Sequence, residues 1–362
     1  MTATFVLTAG GTGGHLFPAQ ALAEALRRRG HRLVLMTDVR GAAYADRFPG
    51  AEIVTLPSAS PSGSLLKKVI AAFKLLRGGL AAKRQLGRVR PAAVVGFGGY
   101  ASFPALWAAG RLRSPMVLHE QNAHLGRANR MFAEKANRIA LSFDPTHAVP
   151  GGSATELTGN PVRDAILAIR QRAYEAPQHD GPIELLVFGG SLGASIFADV
   201  VPAAIGQLPQ KLKDRIRVTQ QVRKAELEQV TATYAELGVE ANLAAFFDNM
   251  DELLARAHLV LARAGASTCA ELTVAGRPSM LVPYPHAADD HQTANAKALT
   301  GAGAAWLIPN AKFDVATCAR SLEALIEDPA TLIKMAGAAH AIALPDAAER
   351  LADLAEQAGG VA

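Results

Sequence analysis

Cysteine is scarce: Cys269 and Cys318 are the only two in 362 residues. Two such distant thiols form neither a disulfide framework nor a metal-ligand spacing. They read as small buried side chains of a reducing compartment. No uninterrupted apolar run reaches the roughly 18 residues of a membrane span. The N-terminus has no basic segment followed by an apolar one, so no signal peptide is expected. The most telling shortage is of one sign of charge. Residues 53–119 contain no Asp or Glu, yet they hold Lys67, Lys68, Lys74, Arg77, Lys83, Arg84, Arg88, Arg90, Arg111 and Arg113. Of the 37 basic residues, 27 remain elsewhere, against all 32 acidic ones. The net charge of +5 therefore belongs to one part of the first half. That part is expected to meet an anionic partner. It lacks a pattern of exposed aromatics for base stacking, which argues against nucleic acid.

What is present suits a folded protein: half the residues are apolar and 19% are charged. The length exceeds what one core usually fills, so two domains are expected. Residues 8–19 read Thr-Ala-Gly-Gly-Thr-Gly-Gly-His-Leu-Phe-Pro-Ala. They follow a short apolar run at 5–7, a buried strand, and precede a helix predicted over 20–29. A strand, a glycine turn and a helix N-terminus make an anion site, because unpaired N–H groups and the helix dipole favour a phosphate. The dinucleotide fingerprint is excluded, since Leu16 stands where its third glycine belongs, and no Gly-Lys-Ser/Thr follows to make a P-loop. His15 at the mouth has two readings. It takes a proton from a bound hydroxyl, or it caps the helix of a tight turn.

Further strands are predicted at 32–37, 52–56, 92–97, 116–119, 138–142 and 154–158, with helices between. That alternation indicates a doubly wound parallel sheet. In 65–80, Leu66, Val69, Phe73, Leu76 and Leu80 recur at steps of 3, 4, 3 and 4, one face of a helix flanked by Lys67, Lys68, Lys74 and Arg77. Such a helix lies on an anionic membrane with its apolar face dipping in, or it packs on the sheet with its lysines solvated. A second glycine turn, with Gly98, Gly99 and Tyr100, ends the strand at 92–97, where open parallel sheets bind ligands. His119-Glu120-Gln121-Asn122-Ala123-His124 is too polar for a core. The turn at 159–163 divides the chain into a first domain, 1–162, and a second, 163–342. The tail, 343–362, is helical in composition and crosses back to the first.

The second domain restarts the pattern. A strand at 183–188 runs into a third glycine turn, 189–194. Strands follow at 215–220, 242–246, 258–262 and 278–282. After 258–262 comes a run of small residues and a helix carrying Glu271. A carboxylate there accepts two hydrogen bonds from a ribose diol, or merely favours the helix dipole. Asp289, Asp290 and His291 are adjacent and do not readily converge on one ion. No metal site is expected, and the loop instead presents Gln292 to a sugar.

Taken in order, these motifs resemble one family. Gly10-Gly11-Thr12-Gly13-Gly14-His15, Gly98-Gly99-Tyr100, His119-Glu120-Gln121-Asn122, Gly159-Asn160-Pro161-Val162-Arg163, Gly189-Gly190-Ser191 and Arg263-Ala264-Gly265-Ala266 through Glu271 carry the resemblance. It is to the MurG family, the peptidoglycan N-acetylglucosaminyltransferases of glycosyltransferase family 28. The resemblance implies a GT-B architecture, two Rossmann-like domains facing a cleft. It implies inverting transfer from UDP-N-acetylglucosamine (UDP-GlcNAc) to undecaprenyl-diphospho-N-acetylmuramoyl-pentapeptide (lipid I), giving lipid II, with no cofactor. The donor site would include Arg163, Ser191, Phe247, Ala266, Ser267, Thr268, Cys269, Ala270, Glu271, Gln292 and Asn295. Ser191 would meet the diphosphate, Glu271 the ribose, and Arg163 and Phe247 the uracil. Thr12, Gly13, Gly14 and Asn122 would approach the donor sugar. Gly11, Gly99 and Tyr100 would receive the acceptor. His15 is the expected base, with Glu120 second. The helix at 65–80 would dock the enzyme at the cytoplasmic face of the bacterial inner membrane, where other cell-wall synthesis proteins work. A UDP-GlcNAc 2-epimerase of the same two-domain shape is the alternative. It would have no use for an acid-free basic surface and would turn over the donor without a lipid.

Overall fold

The computed structural model describes residues 2–10, 13–60, 64–190 and 193–361. It divides into two compact units, Met1–Arg163 with Leu344–Ala362, and Asp164–Ala343. Arg163 thus closes the first unit instead of opening the second.

Seven strands form the sheet of the first unit: β1 (Thr4–Thr8), β2 (Arg32–Thr37), β3 (Glu52–Thr55), β4 (Ala93–Gly96), β5 (Met116–Glu120), β6 (Arg138–Leu141) and β7 (Thr155–Leu157). Their order is β3-β2-β1-β4-β5-β6-β7, and every pairing is parallel. Central strands buried on both faces need apolar side chains at successive positions. Phe5, Val6 and Leu7 supply them in β1. Phe5 and Leu7 join one core layer with Val95 and Val117, and Val6 joins the opposite layer with Val94 and Leu118. The first layer is covered by the helix Gly13–Arg28 and by the C-terminal helix Ala347–Gly359, which contributes Leu351, Ala352, Leu354 and Ala355. Arg28 and Arg29 pair with Glu349 along that seam, and Arg29 also reaches Asp353 and Glu356.

The second unit holds β8 (Ile183–Phe188), β9 (Ile216–Gln221), β10 (Glu240–Ala244), β11 (Leu259–Ala262), β12 (Ser279–Leu281) and β13 (Ala305–Leu307). The order is β10-β9-β8-β11-β12-β13, again parallel throughout. Each sheet reverses direction beside its first strand, between β1 and β4 and between β8 and β11. A crevice opens at the carboxyl ends of the strands at such switch points, and all three glycine turns lie at these ends.

Two helices depart from expectation. The first begins at Gly13, seven residues before the predicted start, so His15 sits inside its first turn. The basic helix runs Leu65–Val89, nine residues past the predicted end. Gly78 and Gly79 do not stop it. They admit neighbours: a Cβ on Gly78 would lie 2.1 Å from the Pro57 carbonyl oxygen, and one on Gly79 would lie 2.7 Å from the Trp107 ring.

Candidate functional site

At the first switch point the turns after β1 and β4 close on one side chain. A Cβ on Gly10 would sit 3.6 Å from His15 Cδ2, one on Gly98 3.6 Å from Cε1, and one on Gly99 3.3 Å from Cδ2. Gly98 and Gly99 both take left-handed φ, +82° and +73°, which L side chains rarely adopt. Ser102 ties the two turns together by donating to the carbonyls of Thr8 (2.9 Å) and Gly98 (2.7 Å). The imidazole of His15 is therefore clasped by glycine backbone, with room for a ligand to approach. Tyr100 is half-buried beside this turn.

The end of β5 adds a buried polar group. Gln121 Oε1 lies 3.1 Å from His15 Nδ1, and Gln121 Nε2 lies 2.9 Å from His119 Nδ1. His119 is fully buried, and its Nε2 meets the Gly159 carbonyl at 3.0 Å. Burial pushes its pKa down to about 4, so it is neutral near pH 7. Glu120 is also buried. Its Oε1 accepts from the N–H and the side-chain amide of Asn122, and its Oε2 from the Gly126 N–H and the Asn129 amide. Four donors on one carboxylate hold the loop 121–126 in shape. Glu120 thus organises the loop, and its two oxygens are engaged by these donors.

In the second unit, two helices start at the switch point. Ser195–Gly206 follows the turn after β8, and Ala266–Ala275 follows β11. Among the described residues neither start is capped by a side chain; the capping positions are Ala194 and Gly265. Their leading N–H groups suit an anion. Gly189 admits close packing there, since a Cβ would meet the Ala194 nitrogen at 2.4 Å. Along the second helix, Ser267, Thr268, Ala270 and Glu271 are half-buried, whereas Ala266 and Cys269 face inward. Burial lifts the Cys269 thiol to about 12, so its side chain belongs to the core. Asn295 is buried and donates to the Ala264 carbonyl (3.0 Å), which shapes the β11 loop. Gln292 accepts from the Tyr284 N–H (2.9 Å). Phe247 is half-buried in the loop after β10. Asp290 and His291 make local contacts, Asp290 with the Thr293 hydroxyl and His291 with the Ala288 carbonyl. Among the described residues no three His, Cys, Asp or Glu side chains gather as a metal-binding group.

The first sheet thus carries an imidazole among glycines, and the second carries two uncapped helix starts at its switch point. Models of both halves of one family match: the glycosyltransferase family 28 N-terminal domain over residues 5–141 and its C-terminal domain over 184–356.

The chain belongs to glycosyltransferase family 28.

Its family relatives span nearly all of it. A UDP-N-acetylglucosamine--N-acetylmuramyl-(pentapeptide) pyrophosphoryl-undecaprenol N-acetylglucosamine transferase of Rhodospirillum centenum is 53% identical, covering 99% of this chain and 95% of its own. The protein of the same name from Caulobacter vibrioides is 46% identical, with 99% of each chain covered. The crystal structure of Acinetobacter baumannii MurG superposes with a TM-score of 0.81 at 29% identity, covering 99% of this chain and all of that one. The structure of the calicheamicin glycosyltransferase CalG4, with a TM-score of 0.64 and 17% identity over 99% of each chain, shares the fold. Two parallel-sheet domains of this family are the GT-B architecture.

Of the predicted site residues, Gly11, Thr12 and Ser191 lie outside the described residues, and Gly13 and Gly14 open the first helix. Arg163 lies over the Phe17 ring, 5.9 Å from its centroid. The predicted stripe Leu66, Val69, Phe73 and Leu76 does not pack on the sheet: its members are 69%, 59%, 60% and 54% exposed. The face that packs carries Ala71, Leu75, Gly78, Gly79, Ala82 and Leu86 instead. Lys67, Lys68 and Lys74 flank the outward stripe and are exposed. No described helix is long and apolar enough to cross a membrane.

Sequence reasoning missed two contributors. Gln121 passed as one polar residue among several, and only its bridge between two histidines singles it out. Arg263 is buried, donates to the carbonyls of Val282 and Pro283 and to the Asn310 side chain, and stacks on Phe197 and Tyr284. It props the loops after β11 and β12. An arginine at the end of a buried strand was the signal.

Proposed function

We propose that this chain transfers N-acetylglucosamine from UDP-GlcNAc to the 4-hydroxyl of N-acetylmuramic acid in lipid I, with inversion, to give lipid II. The observation that carries the reading is 53% identity over 99% of the chain to a transferase of that name. The bond from the acceptor O4 to the sugar C1 forms as the bond from C1 to UDP breaks, through an oxocarbenium-like transition state. His15 takes the hydroxyl proton. Its place among the glycine turns, half-buried and held through Gln121, supports that role. The turn at Gly99 and Tyr100, with Gly11, receives the acceptor. Charge growing on UDP is met by the helix starts at Ser195 and Ala266, and removing one such donor typically costs about 3 kcal/mol of barrier. Ser191 serves the diphosphate, Glu271 the ribose, and Arg163 and the backbone at Phe247 the uracil. Ser267, Thr268 and Ala270 line the nucleotide, while Gln292, Asn295, Asn122, Thr12, Gly13 and Gly14 serve the donor sugar.

The helix Leu65–Val89 docks the enzyme on the anionic cytoplasmic face of the inner membrane, where lipid I is embedded. Its outward apolar stripe between exposed lysines supports this, because a packed helix would turn that stripe inward. The test uses purified protein, radiolabelled UDP-GlcNAc and a lipid I analogue, with EDTA present. Label moving to the lipid is the expected result. Conversion of the donor with no acceptor, and no transfer, would replace this reading by the epimerase.

A further inference from the structure

The polar chain behind His15 dictates where its proton resides. Carbonyl oxygens only accept hydrogen bonds, and three of them fix every direction along the chain. The first is the Gly159 carbonyl, 3.0 Å from His119 Nε2, so that nitrogen carries the hydrogen. Ser142 Oγ, also near it at 3.4 Å, has its own hydrogen committed to the Glu120 carbonyl at 2.8 Å and accepts as well. His119 is neutral in its buried place, so its Nδ1 holds a lone pair. The second fixed point is the His119 carbonyl, 3.1 Å from Gln121 Nε2. It identifies that end of the amide as the NH2, because the reversed amide would set oxygen against oxygen. One amide hydrogen goes to the His119 carbonyl and the other to His119 Nδ1, 2.9 Å away. The third is the amide oxygen itself. Gln121 Oε1 faces His15 Nδ1 at 3.1 Å and accepts from it.

We propose that His119 and Gln121 are positioning residues that hold His15 as the Nδ1–H tautomer, which leaves Nε2 as its proton-accepting nitrogen. The inference rests on His15 being the base, and it adds why the imidazole is competent. A free imidazole in water favours hydrogen on Nε2, the form with no lone pair where the hydroxyl must be met. The relay reverses that preference and also fixes the ring's rotation. Its anchor is the Gly159 carbonyl, in the turn that leads to Arg163. A neutral amide and a buried neutral imidazole do this without placing a charge beside the lipid diphosphate.

The test is spectroscopic first. In the full chain labelled with 15N-imidazole histidine, with His15→Ala used for assignment, His15 should show a protonated Nδ1 and a bare Nε2, and His119 the opposite. Gln121→Leu should release the His15 preference and lower kcat roughly 10- to 100-fold, with little change in KM for UDP-GlcNAc. Gln121→Glu keeps an acceptor facing Nδ1 but sets its other oxygen against the His119 carbonyl and the His119 Nδ1 lone pair, so it should keep hydrogen on His15 Nδ1 while kcat stays below that of the wild type. Wild-type His15 protonated on Nε2 would overturn the relay, whatever the variants do. The expected tautomer with an unchanged kcat in Gln121→Leu would overturn its positioning role. Undiminished kcat in His15→Ala would strike the base assignment itself, and the relay's catalytic role would fall with it while the tautomer stood.

Discussion

His15 owes its setting to absent side chains. Alanine at Gly99 would bring a Cβ to 3.3 Å from the imidazole at a φ of +73°. The left-handed backbone alone costs roughly 1–3 kcal/mol. Gly99→Ala should therefore lower both Tm and kcat, whereas His15→Ala should lower kcat by about 10²- to 10⁴-fold and leave Tm nearly unchanged. Steady-state kinetics beside a thermal melt separates the two. Glu120 belongs to the opposite class. Glu120→Gln would put an amide NH2 against N–H donors in a buried place, at a cost of about 1–3 kcal/mol. The loss should appear in the melt, and the pH dependence of kcat should keep its wild-type shape. A flattened acidic limb with an unchanged melt would restore Glu120 as the base. His119 adds a pH term of known sign. Its pKa falls from 6.5 unfolded to about 4 folded, so the unfolded chain binds more protons between those values. Its contribution to stability is complete above pH 6.5 and declines as pH falls towards 4, at about 1.4 kcal/mol per unit. Denaturant titrations across that range should show the loss, and His119→Gln should lessen it.

At the scale of elements, the basic helix Leu65–Val89 separates two jobs on two faces. Its inward face of small residues packs closely, and its outward apolar stripe is exposed, the face proposed to meet lipid. A lysine near an anionic leaflet contributes about 1 kcal/mol. Replacing Lys67, Lys68 and Lys74 by Gln should weaken binding to vesicles containing phosphatidylglycerol by roughly two orders of magnitude. Phe73→Ser should weaken binding to the same vesicles, and neither change should alter turnover of a water-soluble acceptor. Vesicle co-sedimentation checks both. This helix also shows how much was legible. The strands were readable because double-sided burial demands uninterrupted apolar runs, and Phe5-Val6-Leu7 has no other reading at that length. The helix ends were not. Gly78-Gly79 looks like a stop, yet both positions serve close approach to Pro57 and Trp107, a fact of tertiary packing. Gly13, Gly14 and Pro18 are poor helix formers, so the true start of the first helix was hidden. The glycine turns were legible as anion sites one at a time. That two of them clasp His15 required the sheet order, which places β4 beside β1. Gln121 was illegible because its meaning lies in a partner, His15, that stands 106 residues away in the sequence.

For the whole molecule, Leu344–Ala362 is part of the first unit although Asp164–Ala343 intervenes. Leu351 and Leu354 lie in the core layer of Phe5 and Leu7, and Arg29 meets three carboxylates of that last helix. Hydrogen bonds from Arg28 and Arg29 depress the Glu349 pKa, and His31 and Arg29 outweigh burial to depress that of Glu356. This seam should hold above the ordinary glutamate range and loosen as pH falls through the lowered values. The arrangement also sets a timetable. A ribosome delivers β1 through β7 before the second unit, but the helix that roofs one face of their sheet only after it. Until then Phe5, Leu7 and Leu26 have an incomplete cover, while the second unit, one unbroken stretch of chain, can close as soon as it emerges. The unit begun first closes only after the other has been made, and a chain cut short before Ala347 leaves the first unit open and the second intact.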